Sequence, residues 1–190
     1  TKSADWYHEQ TQKWLAERAQ YKSVIDEQTK KINALTSSLA DMTMAKDELK
    51  VRGKADAAAL AARAVSGEAD GTELTAGQEQ IPTWRQRDFS AVPVGSPYKW
   101  NGIVYKLWQQ HDATNQPDWS PDQAVSLWDI CHTTDPAMAG PYTTPQGARG
   151  MYQTGECSTE EGHVWRCLQD GTAFPPSQLP VAWEALGEVC

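Results

Sequence analysis

The sequence predicts an α plus small β protein: a long N-terminal coiled-coil helix followed by two tandem three-stranded antiparallel β modules. Three observations predict it. Helix-breaking residues are excluded from the front of the chain, with no glycine before Gly53 and no proline before Pro82. Seven of the nine tryptophans lie between Trp84 and Trp183. Two segments of that Trp-rich back half match each other at a nearly constant offset, as repeated structural units do.

The helix comes first. Residues from about 5 to 52 are rich in Ala, Glu, Gln, Lys and Leu, all good helix formers. Counting in sevens places Tyr7, Trp14, Tyr21, Gln28, Leu35, Met42 and Leu49 at one seam position. The second seam position holds Thr11, Arg18, Ile25, Ile32, Leu39 and Lys46. Apolar residues alternating at 4/3 spacing from Tyr21 to Leu49 form a coiled-coil seam, with Gln28 as a polar register-setting break. A narrow stripe on a polar helix of roughly 70 Å cannot bury itself in one chain and needs partner helices. The bulky residues Tyr7, Trp14 and Tyr21 suit a wider core than a dimer offers, which predicts a homotrimer through residues 1–52. They could also dock the N-terminus onto a host assembly.

Gly53 is expected to end this helix. Residues 53–81 then read as a short Ala-rich helix (ADAAALAARAV, 55–65) and an irregular linker over 66–80, rich in Gly, Glu, Thr and Asp.

The modules are placed at 82–135 and 136–190. Gly102–Gln110 (GIVYKLWQQ) aligns with Gly162–Asp170 (GHVWRCLQD) at an offset of 60. Trp119–Trp128 (WSPDQAVSLW) aligns with Phe174–Trp183 (FPPSQLPVAW) at 55. Gly95 and Gly155 also correspond. Each unit is expected to hold a strand ending near Gly95 or Gly155 and a turn at Asn101-Gly102 or Glu161-Gly162. A second strand with Tyr105 or Trp165 follows, then a last strand at Trp128 or Trp183. Asn-Gly between apolar runs is a strong hairpin signal. Units of roughly 50 residues lie near the lower limit of independent stability, so aromatic packing must stand in for a large core.

Charge and motifs narrow the function. The net charge is −8, of which residues 81–190 carry 6 basic and 12 acidic groups. An acidic back half argues against nucleic acid, because phosphate binding needs a basic stripe. Apolar runs are too short to span a membrane. The start at Thr1 carries no charged-then-apolar signal, so synthesis in a cytoplasm without signal-dependent export is expected. There is no G-x-S-x-G, H-E-x-x-H, Walker loop or Gly-rich dinucleotide turn, so no catalytic residue and no cofactor is assigned. A zinc site from Cys131, His132, Cys157, His163 and Cys167 is disfavoured because no C-x2-C pair occurs. Four cysteines allow three pairings. Cys157 and Cys167 flank one hairpin turn, and Cys131 and Cys190 each follow the last strand of a module, so 157–167 with 131–190 is the natural pairing in an oxidising medium.

The run Val94-Gly95…Trp100-Asn-Gly-Ile-Val-Tyr105-Lys-Leu-Trp108, then Asp118-Trp119-Ser-Pro-Asp122 and Ser126-Leu-Trp128, resembles the small chitin-binding modules of carbohydrate-binding families 5 and 12. These occur on chitinases, with related versions on phage tail and virion proteins. The resemblance is close over 84–131 and weak over 142–186. It implies an aromatic platform that stacks on sugar rings: Tyr105, Trp108 and Trp119 in the first module, Trp165 and Phe174 in the second. Leu168 stands where the first module has Trp108. Trp128 and Trp183 are expected as core plugs. The implied function is a phage virion protein, whether fibre, tail appendage or capsid decoration. Its trimeric stalk would attach to other virion structural proteins and present the modules to surface polysaccharide. Two alternatives are a capping or trimerising element without sugar binding, and the accessory fragment of a polysaccharide-degrading enzyme.

Overall fold

A computed structural model describes residues 2–189, which fall into two units divided between Arg52 and Gly53. The chain is a long helix followed by two three-stranded antiparallel sheets. Helix α1 runs Ala4–Ser66 and α2 runs Gly71–Ala76. The first sheet is β1 (Pro97–Trp100), β2 (Ile103–Leu107) and β3 (Trp128–Ile130). The second is β4 (Cys157–Glu160), β5 (His163–Cys167) and β6 (Trp183–Glu188). Strand order within each sheet is sequential. Among the described residues no helix is long and apolar enough to cross a membrane.

The first unit is helix throughout from Ala4, and its seam lies in solvent. Tyr21, Ile25, Ile32, Leu35, Leu39, Met42 and Leu49 are each 60–70 % exposed. Local terms support the helix without burying anything. Glu9–Lys13 and Glu27–Lys31 are i,i+4 pairs in the favourable order at 2.9 and 2.8 Å. Being exposed, each adds only a few tenths of a kcal/mol. The hydroxyls of Thr29, Thr36 and Thr43 donate to the carbonyls four residues back at 2.8 Å.

Two sequence expectations for 53–81 are corrected. Helix α1 does not end at Gly53; it continues to Ser66. An interior glycine costs about 1 kcal/mol relative to alanine, and the Ala-rich stretch that follows supplies enough propensity to offset it. The stretch 66–80 is not an irregular linker either. Asp70 caps α2, its carboxylate accepting from the Glu73 amide at 2.8 Å. Leu60, Ala64, Ala69, Leu74 and Ile81 then pack with Val104 and Cys131 into one apolar cluster. Residues 53–81 therefore form a lid on the first sheet.

The duplication is reproduced in the backbone bonds that frame each hairpin, although β6 is longer than β3 and pairs with a register shift at Val164/Trp165. Gly95 N–H donates to Leu107 O at 2.7 Å, and Gly155 N–H to Cys167 O at 2.8 Å. Trp108 N–H donates to Leu127 O at 2.9 Å, and Leu168 N–H to Ala182 O at 2.8 Å. Upstream the modules differ: Phe89 N–H donates to His111 O at 2.8 Å, whereas Tyr152 and Thr172 exchange both backbone bonds at 2.9 and 3.0 Å. Asn101 and Gly102 take φ of 50° and 79°, Glu161 and Gly162 take 49° and 78°. Two consecutive left-handed residues are what a two-residue type I′ hairpin requires. The glycines lie ahead of the first strands, not at their ends: β1 starts two residues after Gly95 and β4 two after Gly155.

Aromatic rings fill the two small cores. In the first module Trp84, Phe89, Tyr98, Tyr105, Leu107 and Trp128 pack together, with Phe89 edge-on to Tyr98 and Trp128 at 5.4 and 5.2 Å. In the second, Tyr152, Cys167, Ala182 and Trp183 do so, with Tyr142 stacked on Tyr152 at 5.3 Å. Trp128 and Trp183 are both core residues, as plugs should be.

Candidate carbohydrate-binding surface

Strand β2 decides which rings of the first module meet solvent. Its side chains alternate, so residues an odd number apart point to opposite faces. Tyr105 and Leu107 turn into the aromatic core, Val104 on the opposite face packs under residues 53–81, and Trp108 follows directly after the strand's last residue. Tyr105 is 6 % exposed and belongs to the aromatic core, which corrects its assignment to a sugar-stacking platform. Burial, with the Asp122 carboxylate adding to it, pushes its hydroxyl up to about 12.

Trp108 is 48 % exposed, where a flat apolar face can meet a sugar ring. Trp119 is partly buried: it packs against the core and stands edge-on to His111 at 5.7 Å. His111 is itself buried, its Nδ1 at 2.8 Å from Gln109 O. Polar neighbours that could meet sugar hydroxyls are partly committed. Gln110 donates to Val92 O at 2.8 Å, and Asp112 Oδ1 accepts from the Thr114 amide at 2.9 Å.

In the second module Trp165 is partly buried and packs against the core, with its indole N–H 3.4 Å from Glu160 O. Phe174 is exposed, and its carbonyl accepts from the core Trp183 indole at 3.0 Å. Leu168 is exposed at the site matching Trp108. Of the five candidate rings, Trp108 and Phe174 are open, Trp119 and Trp165 half-open, and Tyr105 closed.

The loop that crosses each module is tied to its first strand by one matching contact with exchanged roles. In the first module the Trp100 indole donates to Asp122 Oδ1 at 2.9 Å. In the second, at the equivalent positions, Glu160 accepts from the Ser177 amide and hydroxyl, both at 2.8 Å. Partial burial raises Asp122, but the Ser120 hydroxyl and the Trp100 indole outweigh it and hold the carboxyl below its usual range. This pair was not singled out in the sequence, although aligning the repeats exposes it as a matched contact.

Cys131, Cys157 and Cys167 are free thiols, which corrects the 157–167 pairing. Cys157 lies opposite Arg166, so the adjacent Cys167 faces the other side of the sheet, toward Trp183 and the core. Burial raises the Cys131 thiol to about 12 and raises Cys157 as well. Cys190, the other half of the 131–190 pairing, lies outside the described residues. Among the described residues no group of three or more His, Cys, Asp or Glu is placed to hold a metal ion.

Asp129 and Arg149 bring the two modules together. Arg149 Nη1 lies 3.3 Å from Asp129 Oδ1, and its Nη2 donates to Val125 O at 3.0 Å. Neither residue was a candidate in the sequence, because nothing local marks a contact twenty residues apart. No protein-family model and no curated protein sequence matches the chain.

Proposed function

We propose that this protein is a phage virion component, a fibre, tail appendage or capsid decoration, in which a trimeric coiled-coil stalk presents small glycan-binding modules to a host surface. The observation that carries the reading is the seam. Seven apolar side chains at 4/3 spacing stand 60–70 % exposed on one helix, and burying them against two further copies removes that apolar area from water. The virion setting rests on the module type and its pairing with a stalk.

Adhesion is assigned to Trp108, the exposed tryptophan of the first module. Each site is weak by itself, and three copies on one stalk supply avidity. Catalysis and nucleic-acid binding have no part in the proposal. The second module acts as scaffold, supported by the exposed Leu168 at the Trp108 position and by the partial burial of Trp165.

The test is a glycan array with the full chain, alongside Trp108→Ala. We expect the variant to lose about fivefold in apparent affinity per site while its melting temperature holds. Unchanged binding in the variant removes Trp108 from the adhesive surface. An array with no bound glycan returns the modules to a purely structural role.

A further inference from the structure

The duplication reaches into the segment ahead of each module, and there the two copies diverge. A single 3₁₀ turn leads into each, Gln78–Gln80 in the first and Pro136–Met138 in the second. The chain then pairs with the first strand through equivalent bonds. Lys99 N–H donates to Pro82 O at 2.9 Å and Thr159 N–H to Gly140 O at 2.8 Å. Trp84 N–H donates to Lys99 O at 2.8 Å and Tyr142 N–H to Thr159 O at 2.9 Å. Three members of the apolar cluster under residues 53–81 therefore have counterparts. Ile81 and Ala139 each follow the 3₁₀ turn, Val104 corresponds to Val164, and Cys131 to Leu186. The other four members, Leu60, Ala64, Ala69 and Leu74, have none, because α1 and α2 precede the first module only.

That face of the second module carries an apolar groove of about 310 Å³. Pro136, Ala139, Val164, Leu186 and Val189 line it, together with Glu188. Val104 is 1 % exposed under its cover, whereas Val164 is half-buried and Val189 is 51 % exposed. The register shift of β6 falls at Val164/Trp165, and such a bulge re-aims side chains on an edge strand. Charge differs between the two faces as well. In the first module the cover brings a carboxylate, Glu79, to Lys99 at 2.9 Å. Thr159 stands where Lys99 does. Residues 136–190 hold two arginines and no lysine against six carboxylates. Both arginines are paired, Arg149 with Asp129 and Arg166 with Glu184. Glu188 forms no ion pair among the described residues.

We propose that this groove docks a short amphipathic helix of a partner protein, with a leucine and a small residue four apart on its apolar face and lysine or arginine beside them. The first module shows the kind of cover the face takes. Leu60 and Ala64, one turn apart and so on one side of α1, join Val104 and Cys131 in a single cluster. The acidic, cation-spent surroundings of the groove select the basic flank. A second copy of this chain has no such helix to give. Its own Leu60 and Ala64 are buried on its first module, and its seam from Tyr21 to Leu49 is taken by the stalk. The docking site goes beyond glycan adhesion and draws only on the stalk from that reading.

The probe is a labelled synthetic helix of about 20 residues with leucine and alanine four apart, flanked by lysines, beside a twin with glutamates in place of the lysines. Each is titrated with the full chain and followed by fluorescence anisotropy. The lysine peptide should bind about tenfold more tightly than its twin, with the gap narrowing as salt rises. Leu186→Ser should weaken it about tenfold. Because Leu186 is half-buried, Val189→Ser on the exposed wall is the second variant, expected to weaken binding about threefold while the melting temperature holds. No binding of either peptide, equal binding of both, or binding that survives both substitutions overturns the docking site. A change of oligomer mass in Val189→Ser would put a second copy of the chain in the groove and overturns it too. Trp108 and its glycan lie outside the groove, so adhesion on the glycan array survives any of these failures.

Discussion

At the scale of single residues, backbone sign and strand parity carry most of the consequences. Glu161 occupies a left-handed position that its counterpart Asn101 fills at lower cost. Glu161→Asn is therefore expected to stabilise the second hairpin by about 0.5–1 kcal/mol, read as a rise of roughly 1–4 °C in melting temperature; a fall would contradict the I′ assignment. Tyr105 gives a pH signature. Its hydroxyl is raised in the folded state from 10.0 to about 12, so the unfolded chain loses that proton first. Its contribution is intact below pH 10 and is lost as pH rises toward 12. Urea midpoints across that window should fall less steeply for Tyr105→Phe than for the parent; identical slopes would place Tyr105 outside the core. The inward turn of Tyr105 was legible in the sequence, since it shares strand parity with the apolar Leu107 and not with Lys106. The similarity to sugar-binding modules drew it and Trp108 onto one platform. Arg149 was not legible, because its meeting with Asp129 depends on how one module lies on the other.

At the scale of elements, the repeats were legible because each hairpin carries its own local code: a left-handed pair at the turn and an aromatic plug at the last strand. The region 53–81 was misread because its signals are composition-poor. Gly53 is a weak breaker within strong helix formers. The short helix α2 has no periodicity to detect, though Asp70 three residues before Glu73 is a legible cap. Two glycines separate these roles. Nothing lies within 4 Å of a Cβ built on Gly53, so Gly53→Ala should raise stability by about 0.5–1 kcal/mol. A Cβ on Gly71 would sit 2.0 Å from the His132 carbonyl oxygen, so Gly71→Ala should cost about 1–3 kcal/mol. Thermal melts of the two variants should move in opposite directions. A neutral Gly71→Ala would mean that α2 is not packed on the module and that 66–80 is a linker after all.

At the scale of the whole molecule, the two units follow opposite physical logics. Residues 53–189 bury most of their aromatic rings within one chain, whereas residues 2–52 bury almost nothing. A helix with an exposed apolar seam is marginal alone. That incompleteness is readable from spacing, because the heptad count needs no tertiary information; the number of partner helices is not, because it depends on how Tyr7, Trp14 and Tyr21 pack against their own copies. Sedimentation equilibrium of the full chain at micromolar concentration tests this most directly. A mass of three 21.0 kDa chains is expected, with Ile32→Asp returning it toward a single chain. A parent protein that sediments as one chain would contradict the stalk.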